Sequence, residues 1–146
     1  MYSLGETMDV NIRRLNDDVL FEAGNANGNV IHMDGSPALG GRNAGFRPME
    51  LLLAGIGGCS AIDVVEILRD ADQPLDDLNI KVSAERATNQ TPAILNTIHL
   101  HYVLTGKLDK DSVEHALDVG ITQQCSVGEM LGKSAEITYS YEIVTP

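Results

Sequence analysis

Apolar and polar side chains alternate along three stretches of the chain. Over Leu78–Thr88, Ile80, Val82 and Ala84 alternate with Lys81, Ser83 and Glu85; over Asn96–Thr105, Ile98, Leu100, Tyr102 and Leu104 alternate with Thr97, His99 and His101. Over Glu136–Val144, Ile137, Tyr139, Tyr141 and Ile143 fall on one side. A period of two predicts half-buried strands, and Asn89 and Pro92 mark a loop between the first pair. The first third of the chain holds shorter extended runs, Asp9–Arg14, Val19–Ala23 and Asn29–Met33. Turn compositions, Asn16-Asp17-Asp18 and Gly24-Asn25-Ala26-Asn27-Gly28, separate them. Asp34-Gly35-Ser36-Pro37 then opens a glycine-rich loop that runs to Phe46.

Elsewhere the period is helical. Pro48 suits the first position of a helix, where its missing N–H costs nothing, and Leu52, Ile56, Cys59, Ile62, Val65 and Ile67 or Leu68 follow at helical spacing. Up to about Asp63 this segment is apolar on more than one face, which predicts a helix buried almost all round at the centre of the fold. Gly55, Gly57 and Gly58 interrupt it at roughly 0.8–1 kcal/mol each in helix propensity. That cost implies close packing against the backbone beside Cys59. Gln73-Pro74 ends the helix. Asp109 or Asp111 caps a second helix with Val113, Ala116, Leu117, Gly120 and Ile121 on its apolar face, and a short element follows Cys125. Three extended runs, a long helix, two strands, a helix and a last strand make an α+β fold with helices on mostly antiparallel sheet. Residues 1–146 fit one domain.

Composition narrows the partners. Ten basic against 21 acidic residues give a net charge of −11, which repels phosphate backbones and anionic headgroups. Trp is absent and aromatics amount to 4%, so there is no stacking platform for single strands. Nucleic acid and membrane partners are not expected. The stretch from Met1 to Thr7 has neither a basic nor an apolar region of signal-peptide type, and the run Leu51–Ile56 is too short to span a bilayer. The expectation is a soluble cytoplasmic protein, whose two cysteines would be free thiols.

Those cysteines, Cys59 and Cys125, fit no zinc or CxxC spacing. Each could be a small buried hydrophobe. Cys59 lies about three turns into the long helix, far from its positive end. Asp63, one turn on, would raise the thiol further if ionised. Asp63 itself reads either as a partner for an inward-reaching cation or as the edge of the buried stripe. A reactive Cys59 needs a cation from another segment, and Arg42 and Arg47 in the preceding loop are the obvious suppliers. Ser126-Val127-Gly128-Glu129 fits a capping box, which puts Cys125 just outside a helix N-terminus. Amide donors and the helix dipole there favour a thiolate. Local physics thus makes Cys125 the more acidic thiol.

The stretch Arg47-Pro48-Met49-Glu50-Leu51-Leu52-Leu53-Ala54-Gly55-Ile56-Gly57-Gly58-Cys59-Ser60-Ala61 resembles the central-helix motif of the OsmC/Ohr family. There an Asn-Pro-Glu opening leads, eleven residues after the proline, to a peroxidatic cysteine. Gln124-Cys125-Ser126-Val127 is similar to the family's second motif, which carries the resolving cysteine. The likeness covers nearly the whole chain and is closest to a branch that keeps Pro-Met-Glu and Cys-Ser-Ala-Ile-Asp-Val-Val at these places. It implies an OsmC-like fold, antiparallel sheets around a buried central helix carrying Cys59, in an intertwined homodimer. It implies hydroperoxide reduction: Cys59 becomes a sulfenic acid, Cys125 condenses with it, and a dithiol of lipoyl type reduces the bridge. No metal or prosthetic cofactor is implied. An arginine would hold the thiolate and a glutamate would fix the arginine.

Two positions depart from the pattern. The family glutamate directly follows the proline, where this chain has Met49; Glu50 stands one residue later, about 100° around the helix. The arginine is Arg42 if the loop supplies it, with Arg47 as substitute; Arg13 and Arg14 lie slightly out of register with the family's other location. Glu50 reads equally as a first-turn residue favouring the helix dipole, and the loop arginines equally as solvated cations. His99 and His101 share a strand face but lack a third ligand nearby. His32 and His115 read as surface residues. Two functions follow: a thiol-dependent hydroperoxide reductase, or a non-catalytic or weakly catalytic redox or small-ligand binding protein in which Met49 has removed the activating network.

Overall fold

The three alternating stretches pair into sheet, the first of them over Leu75–Arg86 rather than the expected Leu78–Thr88. The computed structural model describes residues 5–146 and divides after Leu51 into two units, each with its own sheet. In the first unit β1 (Val10–Arg14), β2 (Phe21–Asn25) and β3 (Val30–Met33) form an antiparallel sheet in that order. β2 starts and ends two residues later than its sequence suggests. Asn16 Oδ1 accepts from the Asp18 and Leu20 amides and holds Val19 and Leu20 in the turn. Gly24 and Asn25 pair with β1 instead, and Asn25 Oδ1 tightens the next turn by accepting from the Asn27 and Asn29 amides.

The loop after β3 is organised by one side chain. Asp34 is 3% exposed and accepts from the Gly35, Arg42 and Ala44 amides at 2.8, 2.9 and 3.1 Å. Those donors hold its carboxyl below the usual range, Arg42 and Ala44 most strongly. The loop folds so tightly that a Cβ on Gly41 would lie 1.7 Å from the Gly35 carbonyl oxygen, which only glycine permits.

Helix α1 (Pro48–Asp70) leads into the second sheet, where β4 (Leu75–Arg86) and β5 (Leu95–Gly106) pair antiparallel. β6 (Glu136–Val144) lies parallel to β5 on its other side. The mostly antiparallel expectation thus has one exception. Helices α2 (Lys110–Thr122) and α3 (Ser126–Leu131) connect β5 to β6, and a helical crossover delivers a parallel strand. Ile98, Leu100, Tyr102 and Leu104 of β5 are fully buried, as are Val113, Ala116 and Leu117 of α2. The Asp109 side chain caps α2 by accepting from the Ser112 amide.

Helix α1 is not buried all round. Its buried positions, Ile56, Gly57, Ser60, Asp63, Val64 and Leu68, form one stripe, while Leu52 and Ile62 are exposed. At 23 residues and mean hydropathy 1.9, its length and composition would also suit a membrane span, which the short run Leu51–Ile56 did not foretell. Its stripe instead packs on β4, β5 and α2, making it a core helix. Burying Ile56, Val64 and Leu68 stabilises by roughly 1.5–3 kcal/mol each, which outweighs the glycines. Close packing is found at Gly57, where a Cβ would meet Val82 at 3.0 Å; at Gly55 the nearest atom is 3.7 Å away, and at Gly58 nothing lies within 4 Å.

Candidate functional site

The inner stripe of α1 places a set of polar side chains beside the second sheet. Ser60 is fully buried; its hydroxyl donates to the Ile56 or Gly57 carbonyl and lies 2.5 Å from the Tyr102 hydroxyl. Tyr102 therefore donates to Ser60. Burial pushes the phenol up to about 12, and both cysteines add to the rise. Cys59 precedes Ser60 and is half-buried, a free thiol.

Cys125 reaches this group from the far end of α2. It is 4% exposed, and its thiol points to the Ile56 carbonyl at 4.0 Å. The capping-box expectation is corrected here. Cys125 rather than Ser126 caps α3, its sulfur accepting from the Gly128 amide at 3.2 Å. Its expected acidity is corrected too. Burial pushes the thiol up to about 11, more than the Gly128 N–H lowers it, and Cys59 and Asp63 raise it further. A helix N-terminus favours a thiolate only where the sulfur keeps some solvation.

Asp63, one turn after Cys59, is 5% exposed and lies within the stripe rather than at its edge. Among the described residues no cation pairs with it, and Oδ2 has no hydrogen-bond partner. Burial raises its carboxyl, and Glu66 adds to the rise.

In the first unit, Arg42 is exposed and its backbone amide is bound by Asp34. Arg47 is half-buried, with Nη2 on Asn43 Oδ1 at 2.6 Å. Glu50 Oε1 accepts from the Arg47 backbone amide at 2.7 Å, so it caps the first turn of α1. Met49 is half-buried. Arg13 pairs with Glu22 at 3.0 Å, and the Arg14 guanidinium donates to the Asp17 and Asp18 carbonyls.

His99 and His101 hold no metal constellation. His99 bonds Thr138 and Ser140 through its two ring nitrogens at 2.7 and 2.9 Å, and His101 bonds Ser140 at 2.7 Å. Among the described residues no three His, Cys, Asp or Glu side chains gather to hold a metal.

Sequence periodicity missed Asp34, and the Ser60–Tyr102 pair as a polar contact. Asp34 opens a composition typical of an Asx turn, a usable signal, but its bonds to Arg42 and Ala44 span eight and ten residues. For Ser60 and Tyr102, 42 positions apart, no local signal exists.

A model of the family described as OsmC-like protein matches residues 40–140. The chain is 39% identical over 132 residues to protein YhfA of Escherichia coli K12, covering 88% of this chain and 92% of that one. A solved structure of a hypothetical protein from Aquifex aeolicus VF5 superposes with a TM-score of 0.83 at 29% identity, covering 97% and 98% of the two chains. An organic hydroperoxide resistance protein OsmC of Legionella pneumophila superposes with a TM-score of 0.73 over 96% and 99%. At 15% identity that last likeness is one of fold.

Proposed function

The chain belongs to the OsmC-like protein family, and on that premise we propose that it is a thiol-dependent hydroperoxide reductase. The observation that carries the proposal is the half-exposed Cys59 thiol within electrostatic reach of the buried Cys125 thiol. OsmC-like proteins work through thiols and need no metal or prosthetic group. Cys59, the accessible thiol, attacks the terminal peroxide oxygen; the O–O bond breaks, an alcohol leaves, and Cys59 becomes a sulfenic acid. Cys125 then displaces the sulfenic oxygen as water and closes a disulfide. A dithiol of lipoyl type reduces that bridge and is itself oxidised to a disulfide.

Arg42, with Arg47 as substitute, supplies the cation that favours the Cys59 thiolate. Glu50 acts on that loop through its bond to the Arg47 amide. The exposed apolar residues Leu52 and Ile62 on α1 favour a homodimer, and two free thiols suit a cytoplasmic location. Steady-state turnover of an organic hydroperoxide with dihydrolipoamide tests the assignment: turnover is expected, and Cys59→Ser abolishes it. Met49 at the family glutamate position favours the second function. A wild-type protein that binds but does not turn over hydroperoxide would be the weakly catalytic binding protein instead.

A further inference from the structure

The outward face of the second sheet carries a line of side chains that the thiol chemistry does not use. Strand residues alternate between faces, so with Ile98, Leu100 and Tyr102 buried, His99 and His101 turn the other way. The parallel register sets His99 beside Thr138 and His101 beside Ser140. Hydrogen bonds then join the four. His99 Nδ1 lies 2.7 Å from Thr138 Oγ1, and its Nε2 lies 2.9 Å from Ser140 Oγ. His101 Nδ1 meets the same Ser140 oxygen at 2.7 Å. Thr138 is exposed, and Ser140 and both histidines are half-buried, so the line is open to solvent.

One placement of protons satisfies all three contacts. His99 Nδ1–H donates to Thr138, which leaves Nε2 bare to accept from the Ser140 hydroxyl, while His101 Nδ1–H donates to the Ser140 oxygen. A hydroxyl bonded to a base, with that base held by a third group, is the arrangement that activates a nucleophile. Once Ser140 Oγ is bonded to carbon, the His101 N–H is released to meet an oxyanion. Lys81, the register partner of His101 on β4, brings a positive charge to the same face. Glu136 and Glu142 flank the line on β6 and repel anionic substrates.

Beyond the thiol reading, we propose that Ser140 is a second nucleophile, activated by His99, that transfers acyl groups from small uncharged or cationic esters to water. Ser140 Oγ attacks the ester carbonyl carbon and its proton passes to His99 Nε2. The tetrahedral adduct collapses, the C–O bond to the alcohol breaks, and His99 gives the proton to the departing alkoxide. Water then attacks the acyl-serine, losing a proton to His99; the carboxylic acid leaves as that proton returns to Ser140. No electrons are exchanged, and water is the sole co-reactant. Thr138 is a positioning residue that acts through His99.

A fluorophosphonate tests this on the wild-type chain, because it phosphonylates base-activated serines with loss of fluoride and spares thiols. An adduct on Ser140 is expected by peptide mapping. His99→Gln is expected to slow labelling about 10²-fold, the usual worth of a general base. Thr138→Val is expected to slow it as well, with Thr138→Ser restoring the rate; a threonine that only packs would leave the rate unchanged in both. No adduct on Ser140 in the wild type, or an equal rate in His99→Gln, overturns the proposal. The second readout is p-nitrophenyl acetate hydrolysis by the Cys59→Ser/Cys125→Ser chain, in which no thiol competes for the acetyl group. Turnover that fluorophosphonate labelling abolishes is expected. Turnover undiminished by a labelled Ser140, or none at all, overturns the hydrolytic role. Neither readout uses peroxide, so failure of the peroxidase assignment leaves both outcomes decisive.

Discussion

Ser60 and Tyr102 share one hydrogen bond, but losing either hydroxyl has different consequences. Ser60 has backbone carbonyls for its own proton, whereas the Tyr102 hydroxyl, in a fully buried side chain, has Ser60 as its acceptor. Ser60→Ala strands the phenol and is expected to cost about 1–3 kcal/mol, against about 0.5–1.5 for Tyr102→Phe, which leaves Ser60 satisfied. Urea midpoints of the two variants check the order. Asp34 ties stability to pH. Its carboxyl is held below the ordinary 3.8, so its contribution is complete above that value and is lost as pH falls through the depressed one. Asp34→Asn is expected to flatten that acid limb, and hydrogen exchange at the Arg42 and Ala44 amides is expected to speed up in the variant. At this scale the sequence was least legible. Proximity to a helix N-terminus made Cys125 look acidic, but the burial that reverses this depends on α1, which is distant in sequence.

Elements were far more legible, because each is written in a local period. The apolar face of α2 and the limits of β6 match their patterns residue for residue. Two features depend on connection and packing rather than period. The parallel direction of β6 follows from the crossover through α2 and α3, and the one-sided burial of α1 follows from what packs on it. The α1–α2 contact gives a test. A Cβ on Gly120 would lie 2.9 Å from Val64 Cγ2, and overpacking of that kind costs about 1–3 kcal/mol. Gly120→Ala is expected to destabilise by that amount in denaturant unfolding, although alanine is the better helix former by about 0.8–1 kcal/mol. A neutral or stabilised variant would show that the two helices part easily.

The whole molecule carries a charge of −11 together with an exposed apolar face on α1. Ile62 is 69% exposed and sits close to Cys59, so the proposed homodimer would link assembly to thiol access. Sedimentation is expected to give twice the 15.7 kDa chain mass, and Ile62→Asp is expected to shift the boundary toward the single chain by burying a charge in the contact. The family was legible in the sequence through the Pro48-to-Cys59 spacing; whether this member keeps the activity, with Met49 beside Glu50, is a question for its thiols. The decisive measurement is mass spectrometry of the reduced protein after one equivalent of an organic hydroperoxide at micromolar concentration. The expected product is a Cys59–Cys125 disulfide, replaced in Cys125→Ser by a trappable sulfenic acid on Cys59 and absent in Cys59→Ser. Two intact thiols in the wild type after that treatment would contradict the assignment.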